Sequence, residues 1–180
     1  MHKYVLNITK LLQYGLACGT IYGGVRHKMK ILVVSDTHGY ISKAVEAIEK
    51  EQPDYVLHLG DVCKDCIELE EKYPNEKIIG VIGNNDSQFR YPEFPLERVF
   101  TLFGKKIFMC HGHEYYVRGG VWKLAEHAHE IGADIVLYGH THEPYLDQTD
   151  EMIIMNPGTI RTYGVIEIND NEVKSRIERI

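Results

Sequence analysis

Five short motifs along the chain carry side chains that can coordinate a metal: Asp36-Thr37-His38, Gly60-Asp61, Gly83-Asn84-Asn85-Asp86, His111-Gly112-His113 and Gly139-His140-Thr141-His142. The candidate ligands are Asp36, His38, Asp61, Asn84, His111, His140 and His142, a set of carboxylate, amide and imidazole donors with no thiolate. Such a mixture suits Mn2+, Fe2+, Co2+, Ni2+ or Zn2+ rather than Ca2+ or a purely structural zinc. Divalent ions held this way polarise a phosphoryl oxygen and acidify a bound water, so the chemistry to expect is hydrolysis.

Taken singly, each motif is weak. A Gly-Asp is usually a turn, Gly-Asn-Asn-Asp is ordinary turn composition, and a lone histidine is usually a surface or structural residue. The weight comes from order and position. Each motif closes an apolar, β-branched run, which places the ligands on loops at the carboxyl ends of strands, where open α/β sheets build their sites.

The elements that must do this positioning are legible. Residues 31–35 form a continuous apolar run, expected of a buried strand, and 41–50 follow with apolar side chains at 41, 44, 45 and 48, the helical period. The pattern repeats, with a strand over 55–59, a turn over 61–65, a helix over 66–73 and a strand over 77–82. Further on, strands over 97–103 and 106–110 flank a turn at Gly104-Lys105, a helix covers 121–131, and a strand covers 134–138. Strands at 152–155 and 163–168 are separated by Asn156-Pro157-Gly158, and Asp170-Asn171 turns into a last strand over 172–180. The first half alternates α and β and the second is β-rich. The expected fold is therefore α/β, a two-sheet β-sandwich flanked by helices.

Composition narrows the function classes. A length of 180 residues fits one domain, and 44% hydrophobic with 26% charged residues is ordinary for a soluble globular chain. A formal net charge of -6 opposes tight binding to duplex nucleic acid, and Arg90, Arg98, Arg118 and Arg161 are scattered rather than grouped in a basic groove. Cys18, Cys63, Cys66 and Cys110 show no disulfide framework; Cys63 and Cys66 are read as helix-start thiols without a redox or zinc role, and a reducing, cytoplasmic setting is expected. No membrane span is expected, because no apolar run approaches the roughly 18 residues one needs. Residues 1–28 are read as an N-terminal extension whose order the sequence leaves open, and 29–180 as the domain. Trp122 is read as core packing, His58 as packed, and His127 and His129 as helix-surface residues.

With these motifs in hand, residues 29–180 resemble a calcineurin-like metallophosphoesterase, specifically the small bacterial and archaeal phosphodiesterase branch. The resemblance rests on the joint order of D-x-H, G-D, G-N-x-D, H-G and G-H-T-H, found here at Asp36/His38, Gly60-Asp61, Gly83 to Asp86, His111-Gly112 and Gly139 to His142. It implies a four-layer metallophosphoesterase architecture and two divalent ions, with Mn2+ the leading choice. It also implies that Asp36, His38, Asp61 and His142 hold one ion and that Asp61, Asn84, His111 and His140 hold the other, Asp61 bridging. Ions about 3.5–4 Å apart would bring a bridging water toward neutral pKa and stabilise both attacking and leaving oxygens at phosphorus. The filled site keeps a charge of about +1, which draws a phosphodiester anion despite the acidic protein.

One position departs from the pattern. Larger members of the superfamily commonly have His where this chain has Asn85, a side chain that cannot donate a proton to a leaving group. His113 is the substitute acid proposed from sequence, so Asp61, Asn84 and His113 make up the catalytic assignment. The expected partner is a small phosphoester, and self-association is left open. The alternatives are a phosphomonoesterase or nuclease of the same fold, or a non-catalytic scaffold resembling the retromer subunit that shares it.

Overall fold

A computed structural model describes residues 28–170 and 172–180. The readings of the N-terminal extension up to residue 27, of Cys18 and of the turn residue Asn171 lie outside the described residues. Ten strands form two five-stranded sheets. The first runs β10-β9-β1-β2-β3 and is built from Met29–Val34 (β1), Tyr55–His58 (β2), Lys77–Gly80 (β3), Thr162–Ile168 (β9) and Val173–Arg179 (β10). The second runs β4-β5-β6-β8-β7, from Glu97–Leu102 (β4), Lys105–Cys110 (β5), Ile135–Leu137 (β6), Tyr145–Gln148 (β7) and Ile153–Asn156 (β8). β1, β2 and β3 are parallel, as are β5, β6 and β8; the remaining pairings are antiparallel.

Alternation along the strands explains their near-continuous apolar character. Ile31 and Val33 of β1, Leu57 of β2, Ile107 and Met109 of β5 and Ile135 and Leu137 of β6 point into the seam between the sheets. Their neighbours point the other way. Leu32, Val34 and Val56 pack under Ile41–Glu51 (α1) and Cys63–Lys72 (α2), while Phe108, Cys110 and Val136 pack under Trp122–Glu130 (α3). Strands covered on both faces have no side that favours polar residues. Helix, sheet, sheet and helix make the four layers expected.

The differences from the sequence reading have local causes. The hairpin turn is Phe103-Gly104, one residue earlier than expected, because both take positive φ (49° and 75°) in the tight turn that matches strand twist. α2 starts at Cys63 rather than Cys66, after Val62 at φ 78°, with the Cys63 N–H donating to Asp86 Oδ1 at 2.8 Å. β3 stops at Gly80 because the Ile82 N–H turns to Pro95 O at 2.9 Å. β7 was not foreseen: all its residues are exposed, and an edge strand without a buried face lacks the alternating signal. Trp122 is not in the core; it is 62% exposed, because Leu124 and Ala128 supply the buried side of α3. His127 is half-buried, its ring centre 5.4 Å from that of Phe108 in an edge-on arrangement, whereas His129 is exposed.

Candidate metal centre

The loops that follow β1, β2, β3, β5 and β6 meet at one end of the seam, and every expected ligand lies on one of them. Asp36, His38, Asp61, His140 and His142 all have positive φ, between 46° and 69°. Left-handed backbone is costly for residues with a Cβ, and its concentration here marks loops forced into shape by what they must present. Two glycines allow the loops to close on one another. A Cβ on Gly83 would strike the backbone and Oδ1 of Asp61, and one on Gly139 would strike Ser35 Oγ and Asp36 Oδ2.

Donor atoms of Asp36, His38, Asp61 and His142 lie within 4.8 Å of one another. His38 Nε2 and His142 Nε2 are 3.3 Å apart, and His142 Nε2 is 3.1 Å from Asp36 Oδ1. The Asp36 carboxylate is buried. Its Oδ2 accepts from Ser35 Oγ at 2.5 Å and from the His140 N–H at 3.1 Å, while Oδ1, equally buried, makes no hydrogen bond and has the His142 ring nitrogen beside it. A buried carboxylate oxygen without a hydrogen bond, among imidazole nitrogens, suits a bound cation.

Asp61, Asn84, His111 and His140 form the adjoining group. His111 Nδ1 lies 2.7 Å from Leu59 O, which can only accept, so in the neutral ring Nδ1 carries the proton and Nε2 presents a lone pair. That Nε2 stands 3.0 Å from Asn84 Oδ1 and 3.4 Å from Asp61 Oδ1. Three acceptor atoms facing one another are the arrangement a metal ion resolves. The His140 ring is 5.1 Å from that of His111, and burial, His111 and Arg118 hold its pKa down, which keeps a ligand nitrogen unprotonated.

Asn85 and His113 sit differently. The Asn85 N–H donates to Asp61 Oδ1 at 3.0 Å and its Nδ2 to Asp61 Oδ2 at 2.6 Å, so this residue grips the Asp61 carboxylate. His113 lies beside the second group, its ring 5.5 Å from His111 and 6.1 Å from His140, with a buried Nδ1 that has no partner. Burial, then His111, lowers its pKa.

Sequence reasoning missed the groups beneath the ligands. Buried His58 accepts the Gly60 N–H at Nδ1 (3.3 Å), so Nε2 donates to Thr37 Oγ1 at 3.0 Å, which in turn donates to Asp65 Oδ2 at 2.6 Å. Buried Asn156, read from sequence as part of a turn, donates from Nδ2 to Gly139 O at 2.8 Å and to Thr141 Oγ1 at 3.0 Å. Asp86 was visible only as a turn residue; its Oδ2 accepts the Gly83 N–H at 3.0 Å, and with the bond to Cys63 it ties the β3 loop to α2. Cys63, Cys66 and Cys110 are free and buried, and burial raises each thiol pKa, which makes them poor nucleophiles.

Comparison with known proteins identifies the frame in which these residues sit. The sequence profile of the calcineurin-like phosphoesterase superfamily domain matches residues 29–168. A Methanocaldococcus jannaschii protein described as a probable metallophosphoesterase is 35% identical over 144 residues, covering 77% of this chain and 70% of its own length. A phosphodiesterase of the same organism is 28% identical over 172 residues, covering 81% of this chain and 97% of its own. Among solved structures, a conserved Streptococcus pneumoniae protein described as a predicted phosphoesterase superposes with a TM-score of 0.69 at 29% identity, covering 86% of this chain and 91% of that one. Vacuolar protein sorting 29 from Cryptosporidium parvum superposes with a TM-score of 0.66 at 19% identity over 85% of this chain and 98% of its own, a likeness of fold alone.

Proposed function

The chain belongs to the calcineurin-like phosphoesterase superfamily, and we propose that within it this protein is a metal-dependent phosphodiesterase with two divalent ions, residues 29–180 forming the catalytic unit. The observation that carries the reading is the convergence of ligand atoms from Asp36, His38, Asp61 and His142 within 4.8 Å of one another, around a buried Asp36 Oδ1 that makes no hydrogen bond. Asp36, His38, Asp61 and His142 would hold one ion and Asp61, Asn84, His111 and His140 the other, with Mn2+ the first choice. When bound, the ions supply Lewis acidity to the phosphoryl oxygens and acidity to an attacking water.

The chain's own groups do the rest. Ser35 Oγ and the His140 N–H occupy Asp36 Oδ2, so Oδ1 is the oxygen that would hold an ion. Leu59 O sets the His111 tautomer that turns Nε2 to the site. Asn85 fixes the orientation of Asp61 from two donors. We assign to His113 the proton given to the departing ester oxygen, because Asn85 is engaged with Asp61 and carries no transferable proton. The relative described as a phosphodiesterase supports diesters as the substrate class. A cytoplasmic setting is proposed with it, in keeping with buried, free cysteines and with the lack, among the described residues, of any helix long and apolar enough to cross a membrane.

The test is a matrix of ions and substrates begun from metal-stripped protein. Mn2+ should restore turnover of bis-p-nitrophenyl phosphate more than of p-nitrophenyl phosphate. Preference for the monoester would make the protein a phosphomonoesterase. Stoichiometric ion uptake with no turnover of either ester, nor of cyclic nucleotides, would favour a scaffold role.

A further inference from the structure

A cleft of about 720 Å3 opens beside the candidate metal centre, and His142 belongs to both. Two segments line it, residues 117–121 and 141–145, joined by Tyr138. Its size is that of a site for a small organic group. Tyr145 is 38% exposed, and the Tyr138 ring lies beside it, 6.4 Å between ring centres and tilted by 56°, so an aromatic side chain is open to the cleft. Gly119 and Gly120 keep the opposite segment low: a Cβ on Gly119 would meet nothing within 4 Å, and one on Gly120 would reach Trp122 Cδ1 at 3.6 Å. The exposed Trp122 therefore stands next to the cleft's lining.

Arg118 is the cation of this cleft. It is exposed, lies close enough to act electrostatically on His140, and makes no hydrogen bond or ion pair among the described residues. A guanidinium that makes no ion pair, beside the candidate metal centre, is able to stack on a ring or to donate to its carbonyls. Glu143 is also in the lining and balances its charge. The cleft therefore lacks the excess positive charge that a second phosphate would need, and suits an uncharged ring with hydrogen-bond acceptors.

We propose that this cleft is a subsite for the nucleoside group of a phosphodiester, with the Arg118 guanidinium and the Tyr145 ring as its recognition surfaces. The inference rests on the phosphodiesterase reading above, because it places the phosphate at the metal centre and runs the ester group past His142.

The experiment compares two diesters with the same leaving group, thymidine 5′-(p-nitrophenyl) phosphate and p-nitrophenyl ethyl phosphate, on the metal-loaded full chain. Stacking and hydrogen bonding of one base should raise kcat/KM for the nucleoside ester about ten-fold over the ethyl ester, mainly through KM. Arg118→Ala and Tyr145→Leu should each bring that ratio to within about two-fold of one. In parallel, thymidine 5′-monophosphate should change the fluorescence of Trp122, the one tryptophan of the chain, in a way that inorganic phosphate does not and that Arg118→Ala abolishes. Equal efficiency on both esters with a flat titration would overturn the subsite while leaving the phosphodiesterase reading standing. No turnover of either ester, with an Arg118-dependent titration, would overturn the phosphodiesterase reading and keep the subsite. A ratio unchanged in both variants would overturn the subsite, and circular dichroism confirms that they fold.

Discussion

The buried amide of Asn156 donates from Nδ2 to the Gly139 carbonyl at 2.8 Å, joining the end of β8 to the loop that presents His140 and His142. Its Oδ1 accepts the Gly158 N–H at 2.9 Å, so one side chain braces two turns. Asn156→Ala takes from the buried Gly158 N–H its acceptor and from the Gly139 carbonyl one of its two donors, the other being the Thr141 N–H at 2.8 Å, at a cost of about 1–3 kcal/mol. Because the loop it releases carries two candidate ligands, metal affinity should also fall about 10- to 100-fold. Urea unfolding and isothermal titration with Mn2+ would check the two effects, and unchanged affinity in the folded variant would show that the loop holds its shape without Asn156.

Asp61 stands between the two ligand groups, within reach of His111 and gripped by Asn85. Asp61→Asn should lose most bound metal and at least about 100-fold in kcat/KM, more than any change at a terminal ligand such as His38→Ala. Metal content by elemental analysis and turnover of bis-p-nitrophenyl phosphate decide the matter. Near-normal values for both would end the assignment of two ions sharing this carboxylate.

Because Asn85 has no proton to give, protonation of the departing oxygen is poorly assisted and rate should depend steeply on leaving-group pKa, with His113 the one side chain proposed to lessen that slope. His113→Ala should then slow alkyl esters at least about ten-fold more than nitrophenyl esters, whose departing oxygen needs little help. Equal losses on both would assign His113 to positioning or packing. A flat dependence of wild-type rate on leaving-group pKa would point to another acid.

His58 is fully buried, and burial holds its pKa below the ordinary 6.5. Below about pH 6.5 the unfolded chain therefore binds a proton that the folded chain resists. Stability from this residue is complete above that value and is lost as pH falls from it toward the depressed folded pKa. The urea midpoint of metal-free protein should drop between about pH 7.5 and about pH 5.5, and His58→Asn should lessen the drop. A variant with the wild-type slope would place the proton uptake on other groups.

The sandwich was legible because strands buried on both faces write themselves as apolar runs, as Ile31 to Val34 and Ile107 to Cys110 do. The candidate ligands stood out because imidazole and carboxylate pairs at strand ends have few structural uses. What escaped notice had no local signal. Asn156 reads as a turn residue until β8 and the β6 loop are brought together, and Thr37 and Asp65 are 28 positions apart in the hydrogen bond they share. Trp122 misled because a large aromatic on an amphipathic helix normally faces inward, and here Leu124 and Ala128 already fill that side. The exposed β7 offered no periodicity at all.

The loops of the first sheet contribute Asp36, His38, Asp61 and Asn84, and those of the second contribute His111, His140 and His142. An ion ligated across that divide is a clasp between two halves of the sandwich. Its grip would depend on the spacing set by side chains packed between the sheets, such as Ile31, Met109 and Leu137. Interiors this closely packed pass on a change of one methylene instead of absorbing it. Metal uptake in this protein would thus act as a caliper for the distance between its sheets.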